Sequence, residues 1–462
     1  MQLKLIIILS LFASATGFAQ QDSAVVYKKR VLEHTEVELL GSYYKQDGVH
    51  SAVGGGLGTE ELTDATSDII VSIPLNADDV LTVNAGFSAY TSASSGNINP
   101  YPEGNSSGAN VSPWIQSTGA SNKDVLVAGR VGYSHSSDDR NAVYKAHISA
   151  STEYDYQSFG FGAGYAHLFN EKNTEVSFDI SAYLDQWKPI YPYELREYEA
   201  YGDNFLNIGY FGGLSIYDQN GNANRDYLPD NFSAFTQKNR NSYAFSVGLT
   251  QILTRKLQAS VFVDLLYQQG LLSTPYHRIY FADRENYYVG NTAYIPEYGT
   301  DKNKGAYRLA DNVEQLPGTR FKLPVGLRLN WYASDFLIVR GYYRFYYDNW
   351  GIMAHTASLE LPFRLSQAFT FSPMYRYYGQ SKADYFASAD EHYSYEKFYT
   401  SDYDLSSFNS HQIGAGLSYT DIFQKFRVAY MGLKNIDLRY QHYERNDGLS
   451  ADIVTLNFKF TR

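Results

Sequence analysis

From Thr174 to Trp187 apolar and polar residues take turns: Val176, Phe178, Ile180, Ala182 and Leu184 are interleaved with Glu175, Ser177, Asp179, Ser181 and Asp185. A period of two marks a β-strand with one apolar and one wet face, whereas a helix would group its apolar residues at three- and four-residue spacing. The pattern returns in Leu81, Val83, Ala85, Phe87 and Ala89, in Leu257, Ala259, Val261, Val263 and Leu265, in alternate residues from Phe321 to Trp331, and in Val454, Leu456, Phe458 and Phe460. Followed along the chain it predicts about sixteen strands, an even number. The first eight span 36–44, 67–75, 80–91, 123–134, 142–156, 158–169, 174–187 and 241–253. The others span 256–269, 320–333, 336–348, 351–363, 368–379, 407–420, 434–444 and 450–461.

A soluble sandwich would alternate in the same way, because its core face reads like a lipid-facing one. The connections separate the two cases. Tight turns at 76–79, 170–173, 254–255, 333–335 and 364–367 occupy one parity of the strand order, and long connections at 45–66, 92–122, 188–240, 270–319 and 380–406 the other. With antiparallel neighbours, every long loop falls at one end. This is the asymmetry of a transmembrane antiparallel β-barrel with short periplasmic turns and long extracellular loops. The 44 Tyr and 27 Phe against 4 Met suit such an all-β chain, and Tyr43, Tyr44, Tyr90, Tyr133, Trp187, Tyr267, Trp331 and Trp350 are candidates for its interfacial girdles.

The chain opens with Lys4, an apolar run from Leu5 to Phe12 and the small-residue site Gly17-Phe18-Ala19, which reads as a secretory leader over 1–19. Residues 20–35 are expected to be a periplasmic lead-in, and 36–462 the barrel, placed in the outer membrane of a Gram-negative cell. With no cysteine there is no lipoprotein anchor, thiol catalyst or disulfide. After the leader no apolar run approaches the ~18 residues that a spanning helix needs. A net charge of −11 without a basic tract argues against nucleic acid as a partner.

Three phrases carry a family resemblance: Ser51-Ala-Val-Gly-Gly-Gly-Leu-Gly-Thr-Glu-Glu-Leu-Thr-Asp64, Tyr90-Thr-Ser-Ala-Ser-Ser95 and Tyr440-Gln-His-Tyr-Glu-Arg-Asn-Asp-Gly-Leu-Ser-Ala451. In these the chain resembles the bacterial envelope family catalogued as domain of unknown function 3570. The resemblance implies an outer-membrane barrel of unassigned activity, sometimes encoded beside a small lipoprotein, a thioredoxin-like protein and a flavin-transferase-like protein, which makes an envelope lipoprotein a candidate partner. It brings no catalytic or binding residues with it.

Motifs that suggest other chemistry have plainer explanations. Gly54-Gly55-Gly56-Leu57-Gly58 lacks the Lys-Ser/Thr and the following helix of a phosphate loop, and reads as a glycine-rich turn. Asp218, Asn220, Asn222, Asn224 and Asp226 offer oxygens at alternate positions as a calcium loop does, but Ala223 and Pro229 stand where an EF-hand needs Gly and Glu. They are a weak calcium candidate beside an ordinary Asn/Asp turn, and no other cofactor is expected. Ser410 and His411 are adjacent and so face opposite ways, while His147, Ser149 and Glu153 share a wall. A wet lumen displays such residues without catalysis, so the chain reads as a non-enzyme and a membrane-embedded hydrolase ranks third.

The inward strand positions divide by sign. Glu153, Asp155, Glu175, Asp179, Asp185 and Asp264 make one wall acidic, with Lys145 as an exception. Lys322, Arg328, Arg340, Arg344, Arg376, Arg439 and Lys459 make the other basic, with Asp348, Glu360 and Asp437 as exceptions. Such walls either orient charged solutes in a pore or neutralise each other in a filled interior. The aromatic loops, rich in Tyr191, Tyr193, Tyr198, Tyr280, Tyr287 and Tyr288, suit a lid packed on itself or a site stacking on sugars. The expected function is a passive or gated channel for small solutes seated in outer-membrane lipid. The alternative is a non-transporting platform for surface binding or assembly.

Overall fold

The computed structural model describes residues 30–92, 124–298 and 305–462. The leader expected over 1–19 and most of the 92–122 loop lie outside them. Sixteen antiparallel strands form one closed barrel. They are β1 (Glu36–Asp47), β2 (Leu62–Pro74), β3 (Asp79–Ser92), β4 (Asp124–Ser136), β5 (Ala142–Thr152), β6 (Tyr156–Phe169), β7 (Thr174–Trp187) and β8 (Arg240–Thr254). The second half contributes β9 (Leu257–Gly270), β10 (Thr319–Ser334), β11 (Leu337–Asp348), β12 (Met353–Glu360), β13 (Phe369–Gln380), β14 (Phe408–Thr420), β15 (Met431–Arg445) and β16 (Ser450–Thr461). Each strand pairs with the next, and β1 closes on β16 from Glu36 opposite Thr461 to Asp47 opposite Ser450. No sheet edge is left open.

The register turns the sequence alternation into two surfaces. Ala163, Ile180, Phe245 and Leu265 lie side by side across β6 to β9, and Gly164, Asp179, Ser246 and Asp264 form the row beside them. The first row faces out, with Ile180 57% exposed, so the barrel wears an apolar coat. The second row faces in. A one-residue slip would exchange the two rows, so the coat itself fixes the register.

The predicted strands are all present, with boundary differences that have local causes. Glu153 and Asp155 are not strand residues, contrary to the alternation: the Glu153 N–H donates to the Tyr156 carbonyl at 2.8 Å, closing a three-residue hairpin after Thr152. The girdle assignment also needs correction. Tyr43, Tyr133, Tyr267 and Trp331 are exposed on the outer face, but Trp187 and Trp350 are buried, with their indole N–H groups donating to Asp155 and to the Thr319 carbonyl. Tyr44 donates to the Gln46 side chain two residues along its own strand, on the inner face.

Candidate functional site

The buried apolar core lies in the loops. Along the chain these are 48–61 after β1, 188–239 after β7, 271–318 after β9 and 381–407 after β13. A helix, α1 (Tyr193–Tyr201), begins just after Pro192 and ends at Gly202, whose positive φ lets the chain turn away. Leu195, Phe205, Phe211, Ile279, Val289 and Val313 are buried to 1% exposure or less. Aromatic rings pack edge to face around them, as Tyr198 does on Phe205 and Phe281 on Tyr399.

These loops form a cap across the mouth. In a ring of sixteen strands the β1–β2 loop and the β9–β10 loop leave from opposite sides, yet the Arg278 guanidinium donates to the Val53 carbonyl at 3.0 Å. Arg278 also donates to Glu194 at 3.1 Å, and both side chains are at most 1% exposed. The same Glu194 oxygen accepts the Ala310 N–H. The 381–407 loop joins through Arg308 to Asp390 at 2.9 Å, and through the Asn231 side-chain amide to the Ser394 carbonyl at 2.8 Å.

The glycine-rich phrase explains itself here. Gly55 and Gly56 have φ of 69° and 87°, and a Cβ on Gly55 would stand 2.7 Å from the Tyr280 ring while one on Gly56 would stand 3.0 Å from the Ser401 carbonyl. Glycine lets the first loop touch its partners from across the mouth. The Asp218 segment is the Asn/Asp turn: one Asp218 oxygen accepts the N–H groups of Asn220 and Asn222, while Asn224 accepts the Asp226 N–H.

Beneath the cap the inner face keeps open recesses. One of about 600 Å³ is lined by Thr82, Asn84, Arg130, Lys145, His147 and Asp179. A second, of about 380 Å³, lies between Arg376, Tyr378, Gln412, Tyr443 and Arg445, and a third, of about 210 Å³, adjoins Arg340, Arg364, Asp437 and Arg439 at the turn end. Among the acidic residues, Asp179 and Asp264 flank Ser246, Glu175 sits opposite Thr250, and Asp185 accepts the Tyr156 hydroxyl. Glu153 and Asp155 stand at the rim. Burial, with Asp155 nearby, raises the Glu153 pKa above the usual carboxylate range.

The basic residues differ in how fully they are matched. Glu360 lies 3.5 Å from Arg340 and 3.3 Å from Arg439, and Lys459 is held by Glu36 and Glu38 at 2.9 and 2.5 Å. Arg328 lies over the Phe262 and Tyr342 rings, and a buried Arg344 nitrogen has no hydrogen-bond partner. Arg376 lines the second recess, and Lys322 is opposite Asp348, whose carboxylate is taken by Arg320 at 2.9 Å. His147 and Ser149 face Gly162 and Gly160, not each other, and a His147 nitrogen is buried without a partner. Ser410 is buried while His411 bonds Tyr375 on the outer face, so neither pair is a nucleophile beside its base.

Sequence reading missed one cluster in the cap, where His277, Glu314 and Asp402 converge. Burial would lower the His277 pKa but is outweighed by Glu314 and Asp402, which raise it. Burial lifts the Asp402 carboxyl to about 7, with Asp404 adding to the effect. For Glu314 the burial penalty is overcome by His277, Thr400 and the Thr274 N–H, which hold it below the usual range.

A closed sixteen-stranded barrel with an apolar coat, a charged interior and its long loops gathered at one end is of the outer-membrane type. More narrowly, the chain belongs to the DUF3570 family of proteins of unknown function, which matches residues 78–453. That match includes the Tyr440–Ala451 phrase, and the Ser51–Asp64 phrase lies ahead of it. No curated protein matches the chain in sequence. Among solved structures it is similar to a bacterial polysaccharide outer membrane secretin, at 10% identity over 93% of this chain and 98% of that one, with a TM-score of 0.40. It is also similar to the outer membrane protein opdK from Pseudomonas aeruginosa, at 8% identity over 93% and 100% of the two chains, with a TM-score of 0.36. A BenF-like porin from Pseudomonas fluorescens Pf-5 matches at 7% identity over 93% and 100%, with a TM-score of 0.38.

Proposed function

We propose that this protein is a gated channel for small charged or dipolar solutes in the outer membrane of a Gram-negative cell. The apolar coat and the secretory leader support that location, and the cap is the gate. The observation that carries the reading is the Arg278–Val53 contact across the mouth above an inner face that still holds recesses of several hundred Å³. A barrel built only as a scaffold has no need to keep charged space beneath a lid. The acidic residues Asp179 and Asp264 and the basic residues Arg328, Arg340, Arg344 and Arg376 then act on what passes, the field between them orienting a dipolar solute.

The second reading is a non-transporting platform. It is favoured by the completeness of the cap, whose Leu195, Phe205 and Val313 are buried like residues of a folded domain. Purified full-length protein in planar bilayers separates the two. Unitary currents that rise when the cap is loosened by Glu194→Ala support the gate, and silence in both forms across repeated refolded preparations supports the platform.

A further inference from the structure

The cap brings together three metal-ligating side chains from two loops. His277 Nδ1 lies 3.5 Å from Glu314 Oε2 and 3.8 Å from Asp402 Oδ2, and the three ligand atoms are within 4.8 Å of one another. These separations are at or beyond the limit of a hydrogen bond. His277 Nδ1 is shut off from solvent and has no hydrogen-bond partner. An orphaned imidazole nitrogen in such a place is costly unless something fills the gap.

The carboxylates are held in place by other bonds. Glu314 Oε1 accepts the Thr274 N–H at 2.6 Å and Oε2 accepts the Thr400 hydroxyl at 2.5 Å. Asp402 Oδ1 accepts the Asp404 N–H at 2.9 Å. This leaves Asp402 Oδ2, Glu314 Oε2 and His277 Nδ1 clustered within 4.8 Å of one another. Ligand atoms about 2.0–2.2 Å from a tetrahedral ion stand roughly 3.3–3.6 Å apart, close to the separations seen here.

We propose that His277, Glu314 and Asp402 bind a divalent first-row cation, Zn²⁺ foremost, which staples the 271–318 loop to the 381–407 loop. The imidazole selects against Ca²⁺ and Mg²⁺, which prefer oxygen alone. Three protein ligands leave a fourth position for water. The ion would lock the cap from within, and the site stands whether or not the barrel conducts.

The test uses tag-free, full-length protein in detergent, stripped with chelator and titrated with ZnCl₂ by calorimetry, with Co²⁺ absorption as the coordination readout. The expected result is one Zn²⁺ per chain, binding lost in His277→Ala and weakened at least tenfold in Asp402→Asn, and slower protease cleavage of the cap when Zn²⁺ is present. Asp402→Asn keeps an oxygen for the Asp404 N–H, so it tests the site even if His277→Ala fails to fold. Equal Zn²⁺ binding by wild type and Asp402→Asn, or no binding by the folded wild type, overturns the proposal. The latter result would leave the cluster as an imidazolium between carboxylates.

Discussion

Arg439 reaches from β15 to within 3.3 Å of Glu360 on β12, passing over β13 and β14 on the inner face. Glu360 also meets Arg340, whose side chain is 47% exposed, so one carboxylate offsets two cations in a wet setting. Glu360→Gln should therefore cost the barrel no more than about 1 kcal/mol and shift selectivity towards anions. The double change Arg340→Gln with Arg344→Gln should shift it towards cations. Reversal potentials in a salt gradient, read beside the heat-modified gel shift of each variant, check both signs. Collapse of the barrel in Glu360→Gln would show that this interior is dry.

The apolar coat makes a second expectation. Ile180→Arg places a charge on the outer face at the middle of β7 and should weaken insertion by roughly 2–4 kcal/mol. Asp179→Asn, one residue along and facing the recess with Lys145, should be mild. Urea titrations of the two variants folded into lipid vesicles measure the difference, and equal midpoints would reverse the assignment of faces.

The cap should fail without the barrel. Glu194→Ala leaves Arg278 as an uncompensated buried charge, a loss of about 3–5 kcal/mol, borne by the loops that the pair joins. Limited proteolysis should then cut within 188–239 and 271–318, while the heat-modified shift of the barrel persists. Simultaneous loss of both would mean that cap and barrel fold as one unit.

Acidity should tighten the same structure. Burial raises the Asp311 carboxyl to about 7, against the 3.8 expected of a free aspartate. The folded cap therefore favours the protonated form, and this contribution is full below about pH 4 and lost as pH rises through 7. Cap proteolysis should accelerate across that window, and Asp311→Asn, which stays neutral, should weaken the dependence, with Asp402 still titrating in the same range. A wild-type rate that does not change between pH 4 and 7 would count against a neutral Asp311.

Topology has a direct check. An epitope placed at Asn222, on an exposed turn of the cap, should be labelled on intact cells, whereas tags at Asp78 and Asn173 should need permeabilisation. Labelling of Asp78 on intact cells would invert the barrel.

The strands were legible because each turns an apolar face outward and a polar face inward, and that division is written every second residue, as in Val176 to Leu184. The cap was not, because its contacts join residues far apart in sequence. Nothing near Val53 announces Arg278, and His277, Glu314 and Asp402 are single residues without a shared motif. Signals existed only as surplus: Gly54–Gly58 is richer in glycine than a free turn requires, and the rings of 188–240 are more than one ligand could use. Glu153 and Asp155 misled because Glu153-Tyr154-Asp155 continues the alternation of β5 through a hairpin. Trp187 and Trp350 misled because a tryptophan at a strand end reads alike whether it meets lipid or the cap.

The cap has a further consequence for biogenesis. Its pieces follow β1, β7, β9 and β13, so the 48–61 loop meets its partners across the mouth, and the 381–407 loop joins them, only when the ring is nearly complete. Leu195, Phe205, Phe211 and their neighbours in turn lack the residues they pack against until the 271–318 loop has followed them in synthesis. On the proposed route to the outer membrane the chain crosses an aqueous compartment with part of this material uncovered, so it should depend on periplasmic holdases more heavily than a barrel of equal strand number with short polar loops. Its yield in a holdase-deficient strain would measure that debt, and trimming the 188–239 loop should relieve it.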